Sequence, residues 1–410
     1  MERLHLKERS WKCNMKQTQH PERHLARRYD CVTRSKEFQQ TVHSGYVEDP
    51  TPVYNRMKEL ETAYYPPEPE YNVYYGELHG HTNLSDGGPS IDDYFTSCRD
   101  RAKLDFAAVA DHTHGGVGKD TIWGKKWEII KDAVKRYYEP HKFTTVLAYE
   151  EEADPWYSNC VIYYDNHDAD MLPVEHCGWM NREELHRYLA REDVLIVPHD
   201  TNNLAPGTDF MALELEDMPP LIQVHSRYNF CEKTNEPTFY CNSDCEGGHW
   251  QDALNRGAKM GCIACSDDHD NNMGLVIDKL PYPWRHPGLT GVWAKENTLP
   301  AIFEALKARR CYGFMGGRIR LDFRINGHYM GEEIGIAGDR ILYYNITADA
   351  PIDTVTIVKN GRDYIMLKSK PEMAIFDYRK EKETDYYYIR VRLNDGRFAW
   401  SSPIWVSDKS

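Results

Sequence analysis

Six apolar runs in this chain each close on a histidine or a carboxylate, and few folds accommodate that pattern. They end as Gly76-Glu77-Leu78-His79-Gly80-His81, Val109-Ala110-Asp111-His112, Val146-Leu147-Ala148-Tyr149-Glu150, Val194-Leu195-Ile196-Val197-Pro198-His199, Leu221-Ile222-Gln223-Val224-His225 and Cys262-Ile263-Ala264-Cys265-Ser266-Asp267-Asp268-His269. Side chains two residues apart on an extended segment share a face, so His79 and His81 can reach one centre. Asp86, in the turn Ser85-Asp86-Gly87, can fold back toward it. Strands whose ends carry ligand-type side chains predict a parallel barrel with its site at one mouth.

Between these runs, amphipathic segments supply the helices of βα units from Tyr71 to about Gly317. Ser90 with Asp93 predicts a capping box ahead of Ile91, Tyr94, Phe95 and Cys98. Trp123 to Tyr138 predicts a helix with Trp127, Ile130 and Val134 on one face. Asn181 with Glu184 repeats the capping pattern. Trp250 to Met260 and Leu299 to Arg310 predict two more helices, the second capped by Thr298.

After Gly317 the pattern becomes strand alternation with turn dipeptides. Ile319 to Ile325, Ile341 to Thr347, Thr354 to Val358, Tyr386 to Leu393 and Ala399 to Val406 are read as strands, with Asn326-Gly327 and Asn360-Gly361 as turns. Such a run without helices predicts a β-sandwich. The organisation expected is a charged arm over residues 1–70, a barrel over 71–317 and a sandwich over 318–410.

Composition excludes several classes of function. The 410 residues carry a net charge of −14, which disfavours a nucleic-acid partner. No stretch nears the ~20 apolar residues of a membrane helix. The opening residues lack the apolar segment of a secretory signal, so the expected location is cytoplasmic. The 11 cysteines are scattered, as for reduced thiols, and Cys241 with Cys245 has no second pair for a structural zinc. The basic arm, with Lys7, Arg9, Arg27 and Arg28, is either solvated or wraps a second subunit of a homo-oligomer.

The candidate ligands are His79, His81, Asp86, His112, Glu150, His199, His225, Asp267 and His269. Imidazoles with a few carboxylates suit zinc, iron or manganese, and nine ligands require two or three ions. Such a centre lowers the pKa of a bridging water and supplies hydroxide near neutral pH. Glu151 and Glu152 compete with Glu150, and strand phase favours Glu150. Asp268 should point away from its neighbours. Arg227 either holds a phosphoryl oxygen through its planar fork or makes a surface salt bridge. His114 and Tyr228 are candidates to protonate a leaving group.

The order His-x-His, Ser-Asp-Gly, Asp-His, strand-terminal Glu, Pro-His, a later His and Ser-Asp-x-His resembles the PHP (polymerase and histidinol phosphatase) superfamily. Gly76 to Thr82, Ser266 to His269, and Ala305 to Tyr312 leading into Gly316-Gly317-Arg318-Ile319 resemble its DUF3604 branch. The resemblance implies a distorted seven-stranded (β/α) TIM-like barrel with up to three divalent transition-metal ions. His79, His81, Glu150 and Asp267 would hold the first. Glu150 would bridge to a second, completed by His199 and His225. Asp86, His112 and His269 would take the third, with Asp86 where many relatives carry histidine, which favours manganese or iron over zinc.

The implied reaction is hydrolysis of a small-molecule phosphoester. One alternative is an ester, lactone or amide without phosphorus, with Trp156, Tyr157, Trp179, Tyr228, Phe230, Tyr240 and Trp250 lining an apolar pocket. Another is a metal-dependent binding module without catalysis.

Overall fold

The computed structural model describes residues 69–113, 122, 124–154, 158–172, 182–203, 207–234, 245–280, 285–377 and 379–408. The basic arm lies outside them. The chain has a mixed α/β fold, rich in strand. Its first part runs β1 (Asn72–Glu77), α1 (Ile91–Thr96), β2 (Phe106–Ala108), α2 (Lys125–Tyr137), β3 (Thr144–Asp154), β4 (Ser158–Tyr164), α3 (Arg182–Leu189), β5 (Val194–His199), β6 (Leu221–His225), α4 (Trp250–Arg256), β7 (Gly261–Ala264), β8 (Gly288–Ala294), α5 (Leu299–Lys307) and β9 (Cys311–Met315).

β1, β2 and β3 pair in parallel, as do β6 and β7. The regular βα alternation expected from sequence is broken in two places. β3 continues past Tyr149 and turns into β4, which pairs antiparallel with both β3 and β5. β8 then returns antiparallel along β1, and β9 antiparallel along β8. The first departure replaces a crossover helix by a short connection, which only antiparallel neighbours permit, whereas β8 and β9 are joined through α5. β5 lies against β6, and β7 against β8 and β9.

Beyond their regular spans the strands stay side by side. Asp267 N donates to His79 O (2.8 Å), His81 N to Asp268 O (2.9 Å), Ala110 N to Gly80 O (3.0 Å) and Glu150 N to Asp111 O (3.1 Å). Three of these junctions carry the histidine and carboxylate pairs singled out above.

Local signals set the helices. Ser90 Oγ accepts from Asp93 N at 3.1 Å, a cap of the kind worth about 1 kcal/mol. α2 starts two residues later than read and buries Trp127, Ile130 and Val134. α4 ends early, at Gly257, whose φ of +106° suits glycine. Thr298 precedes α5, but its hydroxyl turns to Glu296 (3.3 Å) instead of capping. Asn181 lies outside the described residues.

The second part contains β10 (Ile319–Ile325), β11 (His328–Tyr329), β12 (Glu333–Ile336), β13 (Arg340–Ala348), β14 (Ile352–Lys359), β15 (Arg362–Lys368), β16 (Glu372–Asp377), β17 (Thr384–Leu393), β18 (Phe398–Ser401) and β19 (Ile404–Asp408). Asn326-Gly327 and Asn360-Gly361 form the turns read from sequence, with both residues of each pair at positive φ. The run Ala399 to Val406 is two strands, not one.

One sheet, β11-β10-β13-β16, stands apart. The rest join a 13-stranded sheet in which β18 pairs with β9, so the two parts share hydrogen bonds. Among the described residues no helix is long and apolar enough to cross a membrane, and the described cysteines, including Cys245, are free.

A buried ion pair joins the loop after β6 to this sheet. Glu232 accepts from Tyr388 Oη (2.5 Å), Arg390 Nη1 (2.6 Å) and Trp400 Nε1 (2.7 Å). Replacing Arg390 by leucine would strand a buried carboxylate, at a cost of about 3–5 kcal/mol. The urea midpoint of Arg390→Leu is expected to fall accordingly. An unchanged midpoint would show that the pair contributes nothing.

Candidate metal centre

The ladder at the strand ends delivers its side chains to one place. His79 Nε2 lies 3.1 Å from Glu150 Oε2, 3.2 Å from His81 Nε2 and 3.4 Å from Asp267 Oδ1. His81 Nε2 is 3.0 Å from Asp267 Oδ1. The His81 ring stacks against those of His112 and His269, with centroids 4.4 and 4.0 Å away. Asp86 Oδ1 faces His269 Nε2 at 3.3 Å and His112 Nε2 at 3.5 Å. On the other side His199 Nε2 meets Glu150 Oε1 at 2.9 Å.

Three overlapping groups have ligand atoms within 4.8 Å of one another: His79, His81, Glu150 and Asp267; His81, Asp86, His112 and His269; and His199, Asp200 and Asp267. Metal–nitrogen bonds of about 2.0–2.1 Å separate neighbouring donors of a four- to six-coordinate ion by roughly 3.0–3.4 Å. The contacts around His79 fall in that interval, so the donor set fits a divalent ion.

Surrounding residues fix the donors. Gln223 Oε1 lies 3.0 Å from His79 Nδ1. An amide oxygen there requires N–H at Nδ1 and leaves the Nε2 lone pair facing the cluster. Buried Glu77 accepts from the backbone N–H of His79 and of Ser266, both at 3.0 Å, and burial pushes its carboxyl up to about 7. Asp111 accepts from Thr82 N (2.7 Å), Thr82 Oγ1 (2.6 Å) and Ser85 Oγ (2.6 Å), clamping the turn that carries Asp86. Gly87 closes that turn where a Cβ would stand 2.5 Å from the His81 carbonyl. Asp267 has a φ of +54°, a strained conformation of the kind that collects at functional sites.

The electrostatics follow from burial opposed by neighbours. Burial would raise Glu150, Asp267 and Asp86, but the adjacent imidazoles hold all three below the usual carboxylate range. Burial pulls His79 down, yet Asp267 and Glu150 hold it up at about 10. His269, against the same penalty, is raised to about 9 by Asp86 and Asp267. His81 falls to about 3 through burial and the charges of His112 and His269.

Other residues singled out from sequence sit differently. His225 joins none of the three groups among the described residues. Its Nε2 turns to the His286 carbonyl at 3.4 Å, and its ring packs on Phe230 with centroids 4.4 Å apart. The register of β6 on β7 shifts between Gln223 and His225, and such a bulge re-aims the side chain that simple alternation would place beside Gln223. Arg227 is not at the surface. It is buried against Asp268, and its Nη2 donates to the Asn272 and Leu275 carbonyls, both at 3.1 Å.

Tyr228 Oη lies 3.3 Å from His269 Nδ1, at the rim of the cluster. Glu151 points to Thr113 Oγ1 at 3.0 Å. Phe230 and Trp250 are core residues. His114, Trp156, Tyr157, Trp179, Tyr240 and Cys241 lie outside the described residues, as does the side chain of Glu152. Sequence reasoning missed Asp200, which follows His199 and joins the third group.

With the geometry in place, comparison places the chain among known sequences. Residues 101–240 and 259–335, more than half of the chain, match the family described as a protein of unknown function, DUF3604. The chain belongs to the DUF3604 family. The match starts after the His79–Asp86 segment. This DUF3604 chain is also similar to uncharacterized proteins of Chlamydia pneumoniae and Chlamydia muridarum, each at 24% identity over 82% of this chain and 57% of the relative. It thus spans a little over half the length of the curated relatives it matches. A solved two-domain protein of Bacteroides vulgatus, containing a predicted PHP-like metal-dependent phosphoesterase, superposes with a TM-score of 0.44 at 14% identity, covering 82% of this chain and 96% of that one.

At pH 7 in the ion-free DUF3604 protein, His79 and His269 lie below their raised pKa values of about 10 and 9 and therefore carry protons. Ion binding needs those lone pairs, so uptake should expel roughly one to two protons per chain. Affinity should rise with pH until both groups titrate. Calorimetric titration in two buffers of different ionisation heat measures this release; identical heats in both would contradict it.

Proposed function

We propose that this chain is a metal-dependent hydrolase of small-molecule phosphoric esters, working at a centre of two or three divalent ions. The observation that carries the reading is the convergence of nine imidazole and carboxylate side chains, from distant parts of the chain, in overlapping groups with the donor spacing of an ion's ligands. The motif order read from sequence supports the same class.

In this reading β1 to β7 form a distorted PHP-type barrel. β6 pairs with β7, the end of β7 with the end of β1, and β5 lies against β6. β4 is its single reversed strand. Residues 71–317 would be the catalytic unit and 318–410 a β-sandwich bearing on it.

His79, His81, Glu150 and Asp267 would hold the first ion. Glu150 and Asp267 each lie beside a second group, the former through His199, and would be shared between ions. Asp86, His112 and His269 would hold a third. Bound ions of this kind polarise phosphoryl oxygens and make water nucleophilic near neutral pH.

The chain's own residues do the rest. Gln223 keeps the His79 tautomer that presents Nε2 to the cluster. Asp111 holds the Asp86 turn, and the Arg227–Asp268 pair holds the segment leading to His269. The Tyr228 hydroxyl, 3.3 Å from His269 Nδ1 at the rim of the cluster, is the group placed to protonate a departing alkoxide. Tyr228 is therefore the proposed general acid.

The manganese-loaded protein should release phosphate from a chromogenic aryl phosphate. His79→Ala and Asp267→Ala should each reduce that turnover at least about a thousandfold, since several kcal/mol of charge stabilisation go with the ions. Turnover of carboxylic esters or amides without phosphate release, or phosphate release indifferent to both variants, would refute the assignment.

A further inference from the structure

Asp200 directly follows a strand-terminal histidine, where simple alternation would send its carboxylate to the opposite face from His199. The backbone breaks that alternation. Asp200 has a φ of +50°, in the left-handed region that few residue types besides glycine adopt. One ligand atom of Asp200 consequently lies within 4.8 Å of those of His199 and Asp267. Glu150 Oε1, 2.9 Å from His199 Nε2, borders the same group. The hydrogen bond recorded for the Asp200 carboxylate is a long one from Ser226 Oγ, at 3.4 Å.

Three carboxylates thus crowd around His199, with Arg227 committed to Asp268 and to carbonyls and with His79, beside Glu150 and Asp267, belonging to the first group. Like charges at this spacing, two of them buried and Asp200 half-buried, favour a cation among them. His225 does not meet the need, because its Nε2 is turned to the His286 carbonyl and its ring is packed against Phe230 and Trp400.

We propose that Asp200, and not His225, completes the ligand set of the second ion together with His199, Glu150 and Asp267. The inference rests on the metal-hydrolase reading above. It has a chemical consequence: three oxygen-bearing side chains against one imidazole make this the hardest of the three positions. It should prefer manganese or iron(II) to zinc more strongly than the His79–His81 position does.

The test is ion stoichiometry, not turnover. Ion-free wild type, Asp200→Asn, His225→Gln and His79→Ala are titrated with manganese by calorimetry, and manganese per chain is counted by elemental analysis after gel filtration. Asparagine tolerates left-handed backbone, so Asp200→Asn should fold, and circular dichroism checks this. Asp200→Asn should lose one ion per chain or bind it at least about tenfold more weakly, while His225→Gln matches wild type. Asp200→Asn holding every ion at wild-type affinity, or His225→Gln losing one, overturns the proposal while leaving the hydrolase reading intact. A wild type that binds no ion removes both.

Discussion

Everything in this molecule answers to one electrostatic problem: acids and imidazoles held next to one another where water hardly reaches. Glu150, Asp267, His79 and His81 are almost completely buried, within a few ångströms of each other. Groups in that situation settle by exchanging charge. Hence His79, which would be neutral in isolation, keeps its proton while His81 gives its own up, and carboxylates that burial should neutralise stay ionised. A divalent ion satisfies the same demand better than a proton, because it accepts several lone pairs at once.

The fold supplies the stiffness that such crowding requires. Backbone hydrogen bonds link the end of β6 to β7, β1, β2 and β3, and His79, His81, His112, Glu150 and Asp267 hang from that ladder. Glu77 and Asp111 are carboxylates that take no place among the ligand groups. They satisfy backbone and hydroxyl donors instead, and so hold the ligand-bearing turns in place. The second part of the chain contributes from outside. Glu232, at the end of the segment that begins with Ser226, Arg227 and Tyr228, is gripped by Tyr388, Arg390 and Trp400 of the large sheet. The position of Tyr228 beside His269 therefore depends on strands far along the sequence.

Much of this was legible in the residues. Strand-terminal histidines and acids marked the site because a period of two fixes their direction, and Asn-Gly pairs marked two hairpin turns because they accept positive φ. What stayed hidden has physical causes. The run Asn159 to Tyr164 is apolar enough for a strand, yet nothing local says that it returns antiparallel along β3. The segments of β8 and β9 were hidden in the same way. Strict alternation would place His225 on the face of Gln223, and nothing local signals the register shift between them. Asp200 was overlooked by the same rule, since a residue after an inward histidine should face out. The one available signal was aspartate, a residue that enters the left-handed region more readily than most, at the end of an apolar run.

The central claim is that these side chains enclose common ions. Anomalous scattering from crystals soaked in manganese, collected on both sides of the manganese absorption edge, addresses it directly. The account predicts peaks enclosed by His79, His81, Glu150 and Asp267 and by the two neighbouring groups. Anomalous density confined to surface acids, with none among these residues, would contradict it.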